Sequence, residues 1–152
     1  MRSRLHPVHA SSQQLSGVLE GSFAEDGTPD LHQPHSAQLE LPVASLLSGN
    51  RLQDMEMQRR LNVRRFPNIA IAVSKVAAGG DGRFQADFRV EVMGQGREYR
   101  APCDLQVKDG RISVSGERGF DMRDFGVNPP RFLTVAMEPE VKVRIHVVAA
   151  KE

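Results

Sequence analysis

The chain has 152 residues, with 20 basic and 19 acidic side chains for a formal charge of +1, and that balance excludes the basic excess of a dedicated nucleic-acid binder. One tyrosine and no tryptophan leave it poor in platforms for stacking bases. The lone Cys103 rules out an internal disulfide, and a chain of this length needs neither disulfide nor metal to hold a core, so it reads as one domain over residues 1–152.

The N-terminus carries Arg2 and Arg4, but no apolar stretch follows them. No export signal is therefore read and a cytoplasmic location is expected. No segment approaches the roughly 20 apolar residues of a membrane helix, so stable membrane insertion is not expected.

Residues 15–23 read as a weak strand. Residues 24–36, rich in Pro, His and acids without a period, read as a surface loop. Gln38-Leu39-Glu40-Leu41 alternates polar and apolar, as expected of a half-buried strand. Asn50 is placed to cap a helix over residues 51–61, where Leu52, Met55, Met57 and Leu61 recur at helical spacings. Asn62 and Pro67 end that pattern.

Strong alternation returns over residues 68–73, where Ile69, Ile71 and Val73 share a face, and over residues 84–92 with Phe84, Phe88, Val90 and Val92. Gly79-Gly80-Asp81-Gly82 and Gly94-Gln95-Gly96 read as turns. Residues 99–107 form a weaker strand, whose Pro102 suggests an edge or a bulge. Lys108-Asp109-Gly110 supplies a hairpin turn into a strand at residues 111–115. A short turn fits residues 121–125, and residues 141–147 alternate around Val141, Val143, Ile145 and Val147. Short strands of period two with one helix between them indicate an all-β protein, an antiparallel β-barrel of about eight strands. Closure is favoured because it removes exposed edges.

Three stretches carry a resemblance. Val43-Ala44-Ser45-Leu46 leads through Asn50 into a helix with Arg51 and Asp54 and on to Phe66-Pro67; Met122-Arg123-Asp124-Phe125-Gly126-Val127 follows late in the chain; a closing strand runs from Pro139 to Ala149. In order and spacing they resemble the YceI-like family. A kinase reading of Asp-Phe-Gly fails, since no Gly-rich phosphate loop or His-Arg-Asp segment precedes it. The resemblance implies a lipocalin-like barrel with a hydrophobic interior for an isoprenoid- or quinone-like tail. It does not extend to residues 84–97, where the family's Gly-x-Leu-Thr-x-x-Gly-x-Thr-Arg pattern survives only as Gly94 and Arg97.

The candidate ligand-binding residues are Leu39, Leu41, Ile69, Ile71, Val73, Phe84, Phe88, Val90, Phe125, Val143 and Ile145. They could line a cavity for an apolar small molecule or pack against one another as a filled barrel. In the second case the protein works as a non-enzymatic interaction module. A third reading gathers His6, His9, His32 and His35 around a metal, though exposed loop histidines explain them as well. Arg51 can pair with Asp54, and Arg59-Arg60 with Arg64-Arg65 forms a basic cluster able to meet an anion. Gly126 is expected to make a tight turn, Phe125 to plug a barrel end, and Asp124 to cap local amides. No nucleophile–base motif, phosphate loop or cysteine pair appears. The expectation is a non-enzymatic protein without cofactor or metal, with an apolar ligand as partner, no nucleic acid, and room for a homodimer.

Overall fold

Period two builds this molecule, because successive strand side chains turn to opposite faces of a sheet. The computed structural model describes residues 12–21, 30–31, 35–80, 82–109, 111–127, 131–132, 135–136 and 140–150. Strands β1 (Ser16–Glu20), β2 (Ser36–Pro42), β3 (Asn68–Ala78), β4 (Phe84–Val92), β5 (Gln95–Lys108), β6 (Arg111–Asp121) and β9 (Glu140–Ala150) form one seven-stranded sheet in that order. Every neighbouring pair is antiparallel. The two-residue strands β7 (Arg131–Phe132) and β8 (Val135–Ala136) pair only with each other.

The large sheet curls into a half-barrel, and the architecture is the expected antiparallel, lipocalin-like one with a single helix. Among the described residues no ladder joins β1 to β9.

Strand limits follow local chemistry. β4 occupies residues 84–92 as its alternation predicts. β3 runs on to Ala78 because a bulge between Val73 and Lys75 resets its period, bringing Val76 opposite Ala86 and Ala78 opposite Phe84. β6 runs to Asp121, well past the expected end, paired along its whole length with β9.

Pro102 corrects an expectation, since it lies in β5 between β4 and β6 rather than on an edge. It is tolerated because the β5–β6 ladder ends at Cys103 and Gly116, so the N–H that proline lacks falls where pairing stops.

Helix α1 (Arg51–Arg60) is capped as expected, with the Asn50 side chain accepting from the Gln53 N–H at 3.1 Å. None of its own residues is buried. Met57 and the following Leu61 pack on the core, while Leu52 and Met55 stay 63% and 55% exposed. The expected Arg51–Asp54 pair is replaced, because Asp54 accepts from the Ser48 N–H at 2.9 Å and the Ser48 hydroxyl at 2.6 Å. Those donors hold the carboxylate against the loop before the helix.

The 3₁₀ turn Met122–Phe125 carries the plug. Gly126 closes it in the left-handed conformation, φ 74°. Asp121, rather than Asp124, caps it by accepting from the Arg123 N–H at 2.9 Å, since it alone stands at the N-terminal position of the turn. Val43, Leu61, Val90, Met122, Phe125 and Val127 form the buried cluster at this end of the sheet.

Phe125 is 5% exposed and holds that cluster together. Phe125→Ala should cost about 3 kcal/mol in urea-denaturation stability; a loss below about 1 kcal/mol would show that the turn is not part of the core.

On α1, hydrogen bonds from Arg59 and then Arg60 lower the Glu56 carboxyl to about 2. A depressed carboxyl stabilises the fold above the ordinary carboxylate range and loses that contribution as pH falls toward 2. The melting-temperature difference between wild type and Glu56→Gln should therefore stay constant from pH 7 to about pH 5 and shrink from there to pH 2.5. A difference that does not change with pH would rule the ion pairs out as its cause.

Candidate functional site

The antiparallel registers put nearly all the candidate residues on one face of one sheet. Leu41 lies opposite Ile69, Leu39 opposite Ile71, and Ala37 opposite Val73. Ile71 and Val73 in turn lie opposite Val90 and Phe88. Phe84 meets Cys103, while Val143 and Ile145 meet Arg118 and Gly116. Phe125 joins this face from the 3₁₀ turn and packs with Val90. Ten of these eleven candidates therefore belong to strands sharing the concave, apolar face, and Phe125 closes one end of it.

Most of that face is incompletely covered. Leu39, Leu41, Ile69, Ile71, Val73, Phe84, Phe88, Val143 and Ile145 all retain intermediate exposure, and Val90 alone of the strand candidates is buried. Small residues leave room in its middle: Ala86 lies opposite Ala101, and Cys103 opposite Gly116.

An aromatic group stands beside the plugged end. Tyr99 packs edge-on to Phe120 with ring centroids 4.8 Å apart, and lies 5.9 Å from Phe88 and 6.2 Å from Phe125. The Arg118 guanidinium lies over Tyr99 at 4.4 Å and over Phe120 at 5.3 Å. The Tyr99 hydroxyl donates to Asp124 at 3.4 Å. Burial, then the Asp124 carboxylate, pushes the Tyr99 hydroxyl up, against the opposing pull of Arg118 and Arg97.

The convex face is tied by ion pairs. Asp87 binds Arg100 at 2.7 Å directly across β4 and β5, and Glu117 holds both Lys142 at 3.0 Å and Arg144 at 3.2 Å on β9. Arg83 binds Asp104 at 2.8 Å. In each pair the arginine or lysine holds its carboxylate below the usual range. His146 is exposed on β9, with its Nδ1 at 2.8 Å from the Ser115 hydroxyl.

Of the basic cluster, Arg59 and Arg60 are occupied by Glu56 at 2.8 and 2.9 Å. Arg64 and Arg65 are exposed, with Arg65 5.3 Å from the Phe66 ring centroid. His6, His9 and His32 lie outside the described residues, and His35 is 5% exposed just before β2.

Sequence reasoning missed Tyr99, Cys103, Gly116, Arg118 and Phe120. A signal existed: Ile112, Val114, Gly116, Arg118 and Phe120 do alternate, with a glycine and an arginine standing in apolar positions. Those two residues hid the period.

Cys103 tests the geometry. It is 7% exposed on the concave face; burial pushes its thiol up, with Asp104 adding to the effect and Arg83 opposing it. Iodoacetamide should alkylate the native protein at least about ten-fold more slowly than the urea-unfolded chain at pH 7.5, since only the thiolate reacts. The native rate should still be climbing above the ordinary thiol value of about 8.5. Equal native and unfolded rates, read by mass spectrometry, would place Cys103 in open solvent.

No curated protein sequence matches the chain at a significant level. Among solved structures, BcnA of Burkholderia cenocepacia superposes with a TM-score of 0.77 at 17% identity, over 93% of this chain and 87% of that one. A Campylobacter jejuni YceI protein gives 0.77 at 14% identity, over 100% and 90%. A polyisoprenoid-binding domain from Saccharophagus degradans, implicated in plant cell wall breakdown, gives 0.53 at 17% identity, over 72% and 65%. At these identities the structural likeness speaks for the fold. The model of the YceI-like domain matches residues 4–149, nearly the whole sequence, and the chain with its half-barrel and apolar concave face belongs to the YceI-like family.

Proposed function

We propose that this protein binds and carries an apolar lipid, isoprenoid- or quinone-like, along the concave face of its sheet and performs no chemistry on it. The observation that carries the reading is the half-buried apolar surface running from Leu39 on β2 to Ile145 on β9. A long hydrocarbon tail laid along it gains roughly 0.8 kcal/mol per buried CH₂ and requires few polar contacts. The polyisoprenoid-binding Saccharophagus degradans domain supports the ligand class. The non-catalytic part draws support from Cys103, whose thiol is pushed up by burial rather than activated.

The filled-barrel interaction module is the competing account, and the partial exposure that Ile71, Val73, Phe88 and Ile145 retain weighs against it. Native mass spectrometry of freshly purified protein, with organic extraction, should reveal a co-purifying lipid or uptake of an added prenyl alcohol. The same spectra read whether the chain is a homodimer.

Gly116 offers a blocking variant. It lies between Cys103 and Ile145, and a Cβ there would meet only the Pro102 carbonyl oxygen at 3.4 Å and the Cys103 Cβ at 4.0 Å. Gly116→Phe should project into the concavity, reduce prenyl-alcohol uptake at least about ten-fold and leave folding intact, since these are ordinary packing distances. A clean apo mass with no uptake by the wild type, or undiminished uptake by a folded Gly116→Phe, would overturn the proposal.

A further inference from the structure

Helix α1 is apolar on two sides, and the core uses one of them. Met57 and the following Leu61 meet the buried cluster, while Leu52 and Met55 point the other way and stay 63% and 55% exposed. At about 100° per residue, Leu52, Met55 and Arg59 fall on one outward face with Arg51 beside them, and all four are exposed. Leu47 joins them at 57% exposure. The Ser48 N–H and hydroxyl both donate to Asp54, which ties the loop carrying Leu47 to the start of α1. One exposed leucine is ordinary. Here three of the six large apolar side chains that the described residues leave exposed stand within one nine-residue stretch.

Positive charge gathers on the same segment. Residues 43–67 hold five arginines and two acids, in a chain whose total is +1. Both acids are engaged, Asp54 by Ser48 and Glu56 by Arg59 and Arg60. Arg51, Arg64 and Arg65 are exposed, and none of them has a carboxylate within ion-pair distance among the described residues.

That mixture narrows the partner. A protein interface closes on a dry centre anchored by aromatic side chains, whereas Leu47, Leu52 and Met55 are separate aliphatic prongs set among guanidinium groups. An anionic bilayer suits both components. Aliphatic prongs enter the boundary between head groups and acyl chains, and arginines meet the lipid phosphates in the negative surface potential. At ten residues α1 is too short to cross a membrane, so it would lie on the surface.

We propose that the outward face of α1, together with Leu47 and the turn at residues 62–66, docks the protein on an anionic lipid bilayer. This goes beyond the carrier reading and requires no ligand in the concave face. The attachment is peripheral and reversible: three aliphatic side chains partition into the surface, and Arg51, Arg64 and Arg65 hold it by charge that salt screens.

Co-sedimentation with phosphatidylcholine vesicles, pure or mixed with an equal part of phosphatidylglycerol, tests it. The wild type should partition onto the mixed vesicles at least about ten-fold more strongly, since each arginine at such a surface contributes about five-fold. Salt at about 0.5 M should remove most of that preference. Leu52→Ser with Met55→Ser should weaken mixed-vesicle binding at least about five-fold. Arg51→Gln with Arg64→Gln and Arg65→Gln should bring the two vesicle types to within about two-fold of each other. Val148→Ser, at a 51% exposed position on β9, should change nothing. All these positions are exposed, so the variants should fold and take up prenyl alcohol as the wild type does. No anionic preference in the wild type, undiminished binding by either multiple variant, or an equal loss in Val148→Ser would overturn the proposal. A dimer seen by sedimentation velocity that the Leu52 and Met55 variant dissolves, without vesicle binding, would overturn it and assign the face to a second copy. Vesicle binding without prenyl-alcohol uptake would uphold the docking face and overturn the carrier reading alone.

Discussion

A sheet whose strands all turn apolar side chains to one side must cover that side, and the rest of this structure answers to that requirement. The cover supplied by the described residues is local. Val43, Leu61, Met122, Phe125 and Val127 gather over Val90 and seal one end of the concave face. They come from a 3₁₀ turn after β2, the residue following α1, and the turn after β6, three connections brought together by the meander. Beyond them the face continues across β2, β3 and β9 with side chains that remain partly exposed.

The parting of β5 and β6 is the second consequence of the same curl. Strands that diverge leave backbone groups without partners, and such groups are costly unless something else satisfies them. Here the divergence begins where Pro102 offers no N–H and Gly116 offers no side chain. The Arg100 carbonyl beyond it is met by the Arg118 side chain. The aromatic rings of Tyr99 and Phe120 fill the wedge between the strands. One long cation thus closes the backbone account of the split and at the same time brings a positive charge to the apolar side. The convex face shows how such charges are otherwise handled, with Asp87–Arg100 and Glu117–Arg144 paired directly across strands.

Much of this was legible in the sequence, for reasons that also explain what was not. β4, residues 84–92, is readable because nine residues alternate without interruption. Helix α1 is readable from its Asn50 cap, but its packing is not: Leu52 and Met55 have helical spacing to Met57 and Leu61, yet only the latter two reach the core, because the helix rests on the sheet by its C-terminal end. The continuation of β3 past Val73 is hidden by a bulge that reverses the parity of every later residue. The cationic side of the aromatic group is the least legible part. Arg97 stands two positions before Tyr99 on β5, but Arg118 reaches Tyr99 only through the hairpin pairing of β5 with β6 and the failure of that pairing past Cys103. Asp54 and Asp124 were misassigned for a simpler reason: a carboxylate takes the nearest well-aligned donors, here Ser48 and Tyr99, over a partner at helical or turn spacing.

The distribution of burial separates a filled barrel from a receptive one. A filled barrel concentrates its largest apolar side chains in a dry interior at the packing density of a crystal. Among the described residues no side chain falls below 2% exposure, and apart from Ala37 on β2 at 4% the deepest apolar ones, Val43 and Val127 at 3% and Phe125 at 5%, belong to the end cluster. The middle holds Ala86, Ala101, Cys103 and Gly116, and their neighbours Phe84 and Ile145 keep intermediate exposure. Dispersion and burial unrealised in the free protein are available to whatever occupies that space. A hydrocarbon that occupies it completes the core from outside, so that binding and folding stability are linked: the ligand adds stability as the logarithm of one plus its free concentration over Kd. On this view the concave face is a core with one component missing, and the plugged end sets where that component stops.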